Sequence, residues 1–309
     1  MAGGTRRMIS LLRRWAEFIK FSHTIFALPF AIAAMVVAAR DNRGWPGTRT
    51  FLLILSAMVC ARTCAMVFNR IVDRHFDAKN PRTASRHLPA GQITLASAWT
   101  LWSLSAAGLI TSAYFLNPVC FALSPVALLV VCFYSLTKRF TDFTHLYLGI
   151  ALALAPIGAW LAVHGSHLTL WPPQQSAILP LVLACAVVFW LVGFDIIYAL
   201  QDYEFDRSHN LHSLVVRWGP RNALQAAFLA HMLMWGVLAV FGLLSRFRVA
   251  YSAGLMLILV SLLLEHWLAR KRNLKWINTA FFKLNALISL VFLAVVIIEV
   301  VFPSFRVTR

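Results

Sequence analysis

Residues 69–83 read NRIVDRHFDAKNPRT and close a long apolar run with polar groups at intervals of four, Asn69, Asp73 and Asp77. On a helix this spacing stacks all three on one face, which Met66 and Arg62 continue upstream. Stacked carboxylates repel one another, so the pattern asks for a positive partner at the end of a greasy segment.

The whole chain is as apolar as the run that precedes this face. Of 309 residues, 60% are hydrophobic and 13% charged. Apolar stretches recur at 22–40, 51–70, 94–115, 118–137, 144–164, 177–199, 222–244, 248–268 and 281–302. Each is long enough to cross a ~30 Å hydrocarbon core as a helix, which satisfies its own backbone groups. The sequence therefore predicts an all-α polytopic membrane protein with about nine transmembrane helices, in contact with the lipid bilayer. No alternating strand pattern supports a barrel. Loops are short and no low-complexity linker interrupts the chain, so 22–302 reads as a single domain behind a basic segment, 1–21.

A net charge of +17 raises the question of nucleic acid, but the basic residues follow the loops rather than one soluble face. With the N-terminus inside, 20 of the 28 lysines and arginines fall in cytoplasmic segments and seven outside. That bias predicts an N-in, C-out protein of the cell's inner (cytoplasmic) membrane, with the excess charge facing anionic lipid and no nucleic-acid partner. The first apolar run lacks a small-residue cleavage site and reads as a retained helix, not a signal peptide. All five cysteines lie within apolar runs, without metal-site spacing, and read as packing residues.

Of 11 carboxylates, six fall in two places: Asp73 and Asp77, then Asp195, Asp202, Glu204 and Asp206. Asp195, Tyr198, Asp202 and Asp206 share one helical face. Both sets begin at the cytoplasmic end of an even-numbered span, as a weak four-helix internal repeat would place them. Only hard oxygen ligands are supplied, which suits Mg²⁺, an ion commonly shared between one or two carboxylates and substrate phosphates. A phosphate or diphosphate entering from the cytoplasm is the implied substrate group. Arg82 and Arg86, with Lys138 and Arg139 between the fourth and fifth spans, are placed to neutralise it. Arg62 lies inside the second span, where a charge is costly unless it faces a polar cavity.

NRIVDRHFDAKNPRTASRHLPAG (69–91) resembles the first aspartate-rich motif of the intramembrane aromatic prenyltransferases of the UbiA superfamily, and DIIYALQDYEFDRSHNLHSLVVRWG (195–219) resembles the second. YSLTKRFTDFTHLYLGIALALAPIGAW (134–160) and IKFSHTIFALPF (19–30) are similar to segments of its 4-hydroxybenzoate polyprenyltransferase branch. Arg70 departs from the family's usual Asn-Asp opening and is similar to the menaquinone-linked naphthoate prenyltransferases. The resemblance implies nine helices around a central cavity, with a cytoplasmic cap and a side opening to lipid. It implies Mg²⁺ as cofactor, with Asn69, Asp73 and Asp77 holding one ion and Asp202 and Asp206 another. It further implies polyprenyl diphosphate as donor, and as acceptor 4-hydroxybenzoate or a related aromatic acid, a dihydroxynaphthoate being the alternative. Asp195 would lie deeper, near the acceptor.

An allylic diphosphate ionises when its departing charge is stabilised by metal, Arg and Lys, and the cation must then meet an aromatic carbon before water does. Tyr198 is a candidate to stabilise that cation through its ring. Asp195 is a candidate to orient or deprotonate the acceptor hydroxyl, and Arg139 or Arg62 to bind an acceptor carboxylate. His75, His87, His145, His209 and His212 lie near cytoplasmic ends and read as interfacial hydrogen-bonding groups, whereas His23 occupies a family position and is kept as a cavity candidate. A transporter of anionic lipids also uses polar groups within a bundle, but it needs access from both faces. Here the polar groups gather at one side.

Overall fold

The computed structural model describes residues 13–20, 24–165, 177–270 and 280–302. Its long helices are α1 (Thr24–Ala38), α2 (Thr48–Lys79), α3 (Leu95–Leu116), α4 (Pro118–Phe133), α5 (Thr144–His164) and α6 (Ile178–Ala199), followed by the short α7 (Tyr203–Ser208) and then α8 (Leu214–Leu244), α9 (Val249–Ala269) and α10 (Asn285–Val301). Every predicted span coincides with one of the long helices. Among the described residues, seven helices are long and apolar enough to cross a membrane. The two outside that group are α1, with 15 residues, and α3, whose apolar run is diluted by Ser97, Ser103, Ser105 and Ser112.

Contacts between loops show which ends lie together. Arg40 donates to the carbonyl of Ser245 at 2.8 Å, Arg49 to that of Phe115 at 3.1 Å, and Asn117 to that of Leu161 at 2.9 Å. At the opposite end, Lys138 meets Asp206 at 3.0 Å, and the His212 amide donates to the Lys138 carbonyl at 2.8 Å. Alternate loops therefore share an end, and α3 runs between the two ends in spite of its serines.

Helices in lipid associate through close packing and internal hydrogen bonds, since the tails are as apolar as leucine. Both devices are present. Phe30 of α1 lies 4.9 Å, centroid to centroid, from Trp190 of α6 and from Phe292 of α10. Trp190 donates to Asn285 at 2.6 Å, and Asn285 donates to Glu265 at 2.7 Å, which ties α6, α10 and α9 together in the interior. A Cβ on Gly149 would lie 3.0 Å from the Val188 carbonyl, so glycine is what lets α5 approach α6 this closely.

Three departures from the sequence reading bear on the site. Helix α2 continues to Lys79, and its 32 residues span about 48 Å, longer than the hydrocarbon core. The acids are thereby carried to its polar end. The second acidic set is not one continuous α-helical face: a 3₁₀ turn, Leu200–Asp202, separates α6 from α7 and re-aims Asp202 and Asp206. Helix α8 begins at Leu214 and kinks at Gly219, whose φ of 76° precedes Pro220.

Candidate active site

The two acidic sets, 118 or more residues apart in sequence, line one polar cavity of about 240 Å³. Helix α2 and the loop after it supply Arg62, Asn69, Arg70, Asp73, Asp77, Arg82 and Arg86. The segment between α4 and α5 supplies Lys138 and Arg139, and α6–α7 supply Asp195, Tyr198, Asp202 and Asp206. All the candidate site residues except His23, which lies outside the described residues, are thus brought together.

Four carboxylates each face a fixed cation. Arg139 approaches Asp73 at 3.2 Å, Arg86 meets Asp77 at 2.6 Å, and Lys138 meets Asp206 at 3.0 Å. Arg82 grips Asp202 with both sides of its guanidinium fork, Nε donating to Oδ1 at 2.8 Å and Nη2 to Oδ2. Asn69 donates to Asp73 at 2.8 Å, and Asn80, absent from the sequence reading, donates to Asp202 at 3.1 Å. Arg70 is buried with its guanidinium 3.9 Å from Asp77 Oδ2, an oxygen that makes no hydrogen bond.

Local structure explains these placements. The Arg82 amide donates to the Asn80 side chain at 2.9 Å, and Thr83 donates to the Asp77 carbonyl at 3.0 Å. These bonds fold the loop back over the end of α2, so that Arg82 reaches α6 while Arg86 turns to Asp77. Tyr198 accepts from Arg82 at 3.1 Å, and its ring lies 5.5 Å from the Arg82 guanidinium and 5.7 Å from the Lys20 ammonium. In this arrangement the ring already serves two resident cations.

Besides Asn80, the sequence reading passed over Lys20 and His145. Lys20 reads as a topology marker, yet it lines the cavity. Burial first, then the neighbouring Arg70, Arg86, Arg82 and Arg62, push its ammonium down to about 7. His145, read as interfacial, is fully buried, with Nδ1 2.6 Å from Asp195 Oδ2. The signal for both lay in residues far along the chain.

A second cavity of about 190 Å³, almost wholly apolar, adjoins the first. Arg62, Tyr134 and Leu152 line both, and the apolar one continues between α2, α3, α4 and α5 to Leu116 and Leu161 at the far end of the bundle. Charged groups and a greasy cavity thus lie side by side.

Among the described residues, no three His, Cys, Asp or Glu side chains stand ready to hold a metal ion. The sets Asn69, Asp73, Asp77 and Asp202, Asp206 are therefore not preformed cages. Their all-oxygen chemistry and the orphaned Asp77 Oδ2 still fit a hard cation that keeps waters and takes further ligands from a bound phosphate.

The sequence model of the UbiA prenyltransferase family matches residues 27–287. A 4-hydroxybenzoate octaprenyltransferase of Methylobacillus flagellatus is 31% identical over 255 residues, covering 82% of each chain. The apo structure of a UbiA homolog from Aeropyrum pernix K1 superposes with a TM-score of 0.81 at 30% identity, over 90% of this chain and 98% of that one. A UbiA homolog from Archaeoglobus fulgidus bound to GPP and Mg²⁺ shares the fold, with a TM-score of 0.67 at 20% identity over 92% and 99% of the two chains. The paired acidic sets, the bundle and these similarities agree: this chain belongs to the UbiA prenyltransferase family and is a membrane-embedded prenyltransferase.

Proposed function

We propose that the protein transfers a polyprenyl group from a polyprenyl diphosphate to a ring carbon of 4-hydroxybenzoate or a related aromatic acid, with Mg²⁺ as cofactor. One observation carries the reading: a cavity of opposed carboxylates and cations adjoins an apolar cavity, with Arg62, Tyr134 and Leu152 lining both. An amphiphile with a diphosphate head and an isoprenoid tail matches that pairing. The names of the similar proteins, a 4-hydroxybenzoate octaprenyltransferase and a homolog bound to GPP and Mg²⁺, support the substrate classes.

Asn69, Asp73, Asp77, Asp202 and Asp206 are the residues that would hold Mg²⁺, which when bound stabilises the negative charge of the departing diphosphate. Arg82, Arg86, Lys138 and Arg139 orient the diphosphate and neutralise it as the allylic bond ionises. The tail lies along Ala57, Ala61 and Gly158, where small side chains leave room. Arg62, at the junction, takes the acceptor carboxylate, and Asp195 faces its ring. Water is kept from the allylic cation by the apolar wall. The acidic end faces the cytoplasm, in the orientation set by the basic loops.

The test is direct. Purified protein is incubated with Mg²⁺, a polyprenyl diphosphate and a panel of aromatic acids that includes 4-hydroxybenzoate and a dihydroxynaphthoate, and products are identified by mass. Prenylated acid is expected, abolished by chelator and restored by Mg²⁺. Full activity in excess chelator removes the metal from the reading, and product from the naphthoate alone reassigns the acceptor.

A further inference from the structure

We propose that His145 is a positioning residue for this reaction, holding Asp195 as the group that takes the proton displaced from the aromatic ring. The inference rests on the reaction proposed above and adds to it a residue and a proton route.

The cavity carboxylates divide by partner. Asp73, Asp77, Asp202 and Asp206 each face a guanidinium or an ammonium. Asp195 instead faces an imidazole, 2.6 Å away. Full cations suit carboxylates that meet a metal and a diphosphate, because those charges can be re-paired with the ligand. The imidazole instead orients Asp195 through one carboxylate oxygen and leaves the other open to the cavity.

Hydrogen-bond accounting gives the same assignment. An ionised carboxylate only accepts, so Nδ1 of His145 donates its hydrogen to Asp195. Nε2 is buried and makes no hydrogen bond. A buried polar nitrogen without a partner costs stability, so the imidazole is poorly explained as a stabilising core residue. Asp195 keeps Oδ1 free of protein hydrogen bonds among the described residues, and its side chain is 22% exposed on the cavity wall.

The backbone is arranged to hold the pair. His145 is the second residue of α5, and one turn later Gly149 meets the Val188 backbone of α6, where a Cβ would lie 3.0 Å from the carbonyl oxygen. The Thr137 and Thr144 hydroxyls are hydrogen-bonded at 2.8 Å, which fixes the start of α5 to the segment that carries Lys138. These two contacts place the first turn of α5, and the imidazole's own bond is to Asp195.

In the step proposed, the C–O bond breaks with diphosphate keeping its electron pair, and the ring carbon then bonds to the allylic cation. The ring carbon then loses its hydrogen as a proton to Asp195 Oδ1, and the C–H electrons restore aromaticity. Asp195 returns the proton to solvent when product leaves.

The experiment compares ordinary and ring-deuterated acceptor in wild type, H145L, H145N, H145Q and D195N. Asparagine places an amide N–H where Nδ1 stands, whereas glutamine moves it toward the Nε2 position. Wild type is expected to show no isotope effect, since a well-placed base removes the proton quickly. H145L and H145Q should lose on the order of 10²-fold in kcat, as removal of a proton-transfer group does. Their KM for the prenyl diphosphate should be unchanged, and a primary isotope effect should appear, as it should in D195N. H145N should recover most of the rate and lose the isotope effect. Equal losses in H145L and H145N without an isotope effect would make His145 a packing residue and overturn the proposal. Wild type that prenylates no aromatic acid refutes the reaction itself, a failure visible before any variant is compared.

Discussion

Asp73 and Asp202 hold equivalent places in the two acidic sets, one gripped by Arg139 and the other by Arg82. Asparagine at either keeps the volume and removes the charge. If these groups act mainly on the charge that develops as the allylic bond breaks, D73N and D202N should each lower kcat by about 10²–10³-fold while diphosphate affinity falls much less. The double variant should lose less than the product of the two, since both serve one charged head group. Steady-state kinetics beside equilibrium binding separates this from two solvated helix ends, for which both variants keep near-normal rates. Lys20 allows a test without turnover. With its ammonium held down to about 7, it is mostly neutral in the free protein at pH 8.5, and an arriving diphosphate favours the charged form. Binding of Mg²⁺ and inorganic diphosphate should therefore take up a proton between about pH 7 and 10, seen by calorimetry in buffers of different ionisation enthalpy. K20R should bind with that uptake abolished, and identical uptake in K20R would assign the proton elsewhere. The acids and arginines of the site were legible because so few charges interrupt this chain. Lys20 and His145 were not, because what distinguishes them is a partner 178 and 50 residues away, Tyr198 and Asp195.

At the scale of helices, hydropathy located the spans well and their ends poorly. The 3.6-residue period carries no mark of the 3₁₀ turn at Leu200–Asp202, since Tyr198, Asp202 and Asp206 keep the same four-residue spacing whether or not the helix is continuous. Helix α2 outran its apolar segment because Asp73 and Asp77 are held by Arg139 and by the loop after the helix, contacts that hydropathy does not contain. Two glycines separate packing from function on α5. Gly149→Val drives methyl groups into the Val188 backbone and should destabilise the bundle by about 1–3 kcal/mol, measured by thermal unfolding in detergent. Gly158 has no atom within 4 Å of where its Cβ would stand, and it lines the apolar cavity. Gly158→Leu should leave stability nearly unchanged and shift preference toward shorter prenyl donors, read from kcat/KM across a chain-length series. An unchanged preference would place the tail outside this cavity.

For the whole molecule, the number of crossings and the facing of the acidic end are one question. Nine crossings put the loops near Asn42 and Arg246 on one side and those near Lys79 and Arg207 on the other. The Arg40–Ser245 and Lys138–Asp206 contacts pair the ends in that way. Were α3 to lie outside the membrane, the order of sides would invert for every later loop, and Asp202 could not meet Arg82 as it does. Basic residues concentrate at the acidic end, which should therefore face the cytoplasm. Single cysteines at the exposed positions Lys79, Arg207, Asn42 and Arg246, in a background with Cys60, Cys64, Cys120, Cys132 and Cys185 replaced, test both points. With an impermeant maleimide added to intact cells, positions 42 and 246 should label, while 79 and 207 should label only after permeabilisation. The reverse pattern would place the diphosphate site outside the cell, away from any cytoplasmic supply of prenyl diphosphate, and would reject the proposed orientation. Labelling of 42 and 246 from opposite sides would instead remove one crossing between them, leaving the helix contacts without a membrane arrangement that satisfies them.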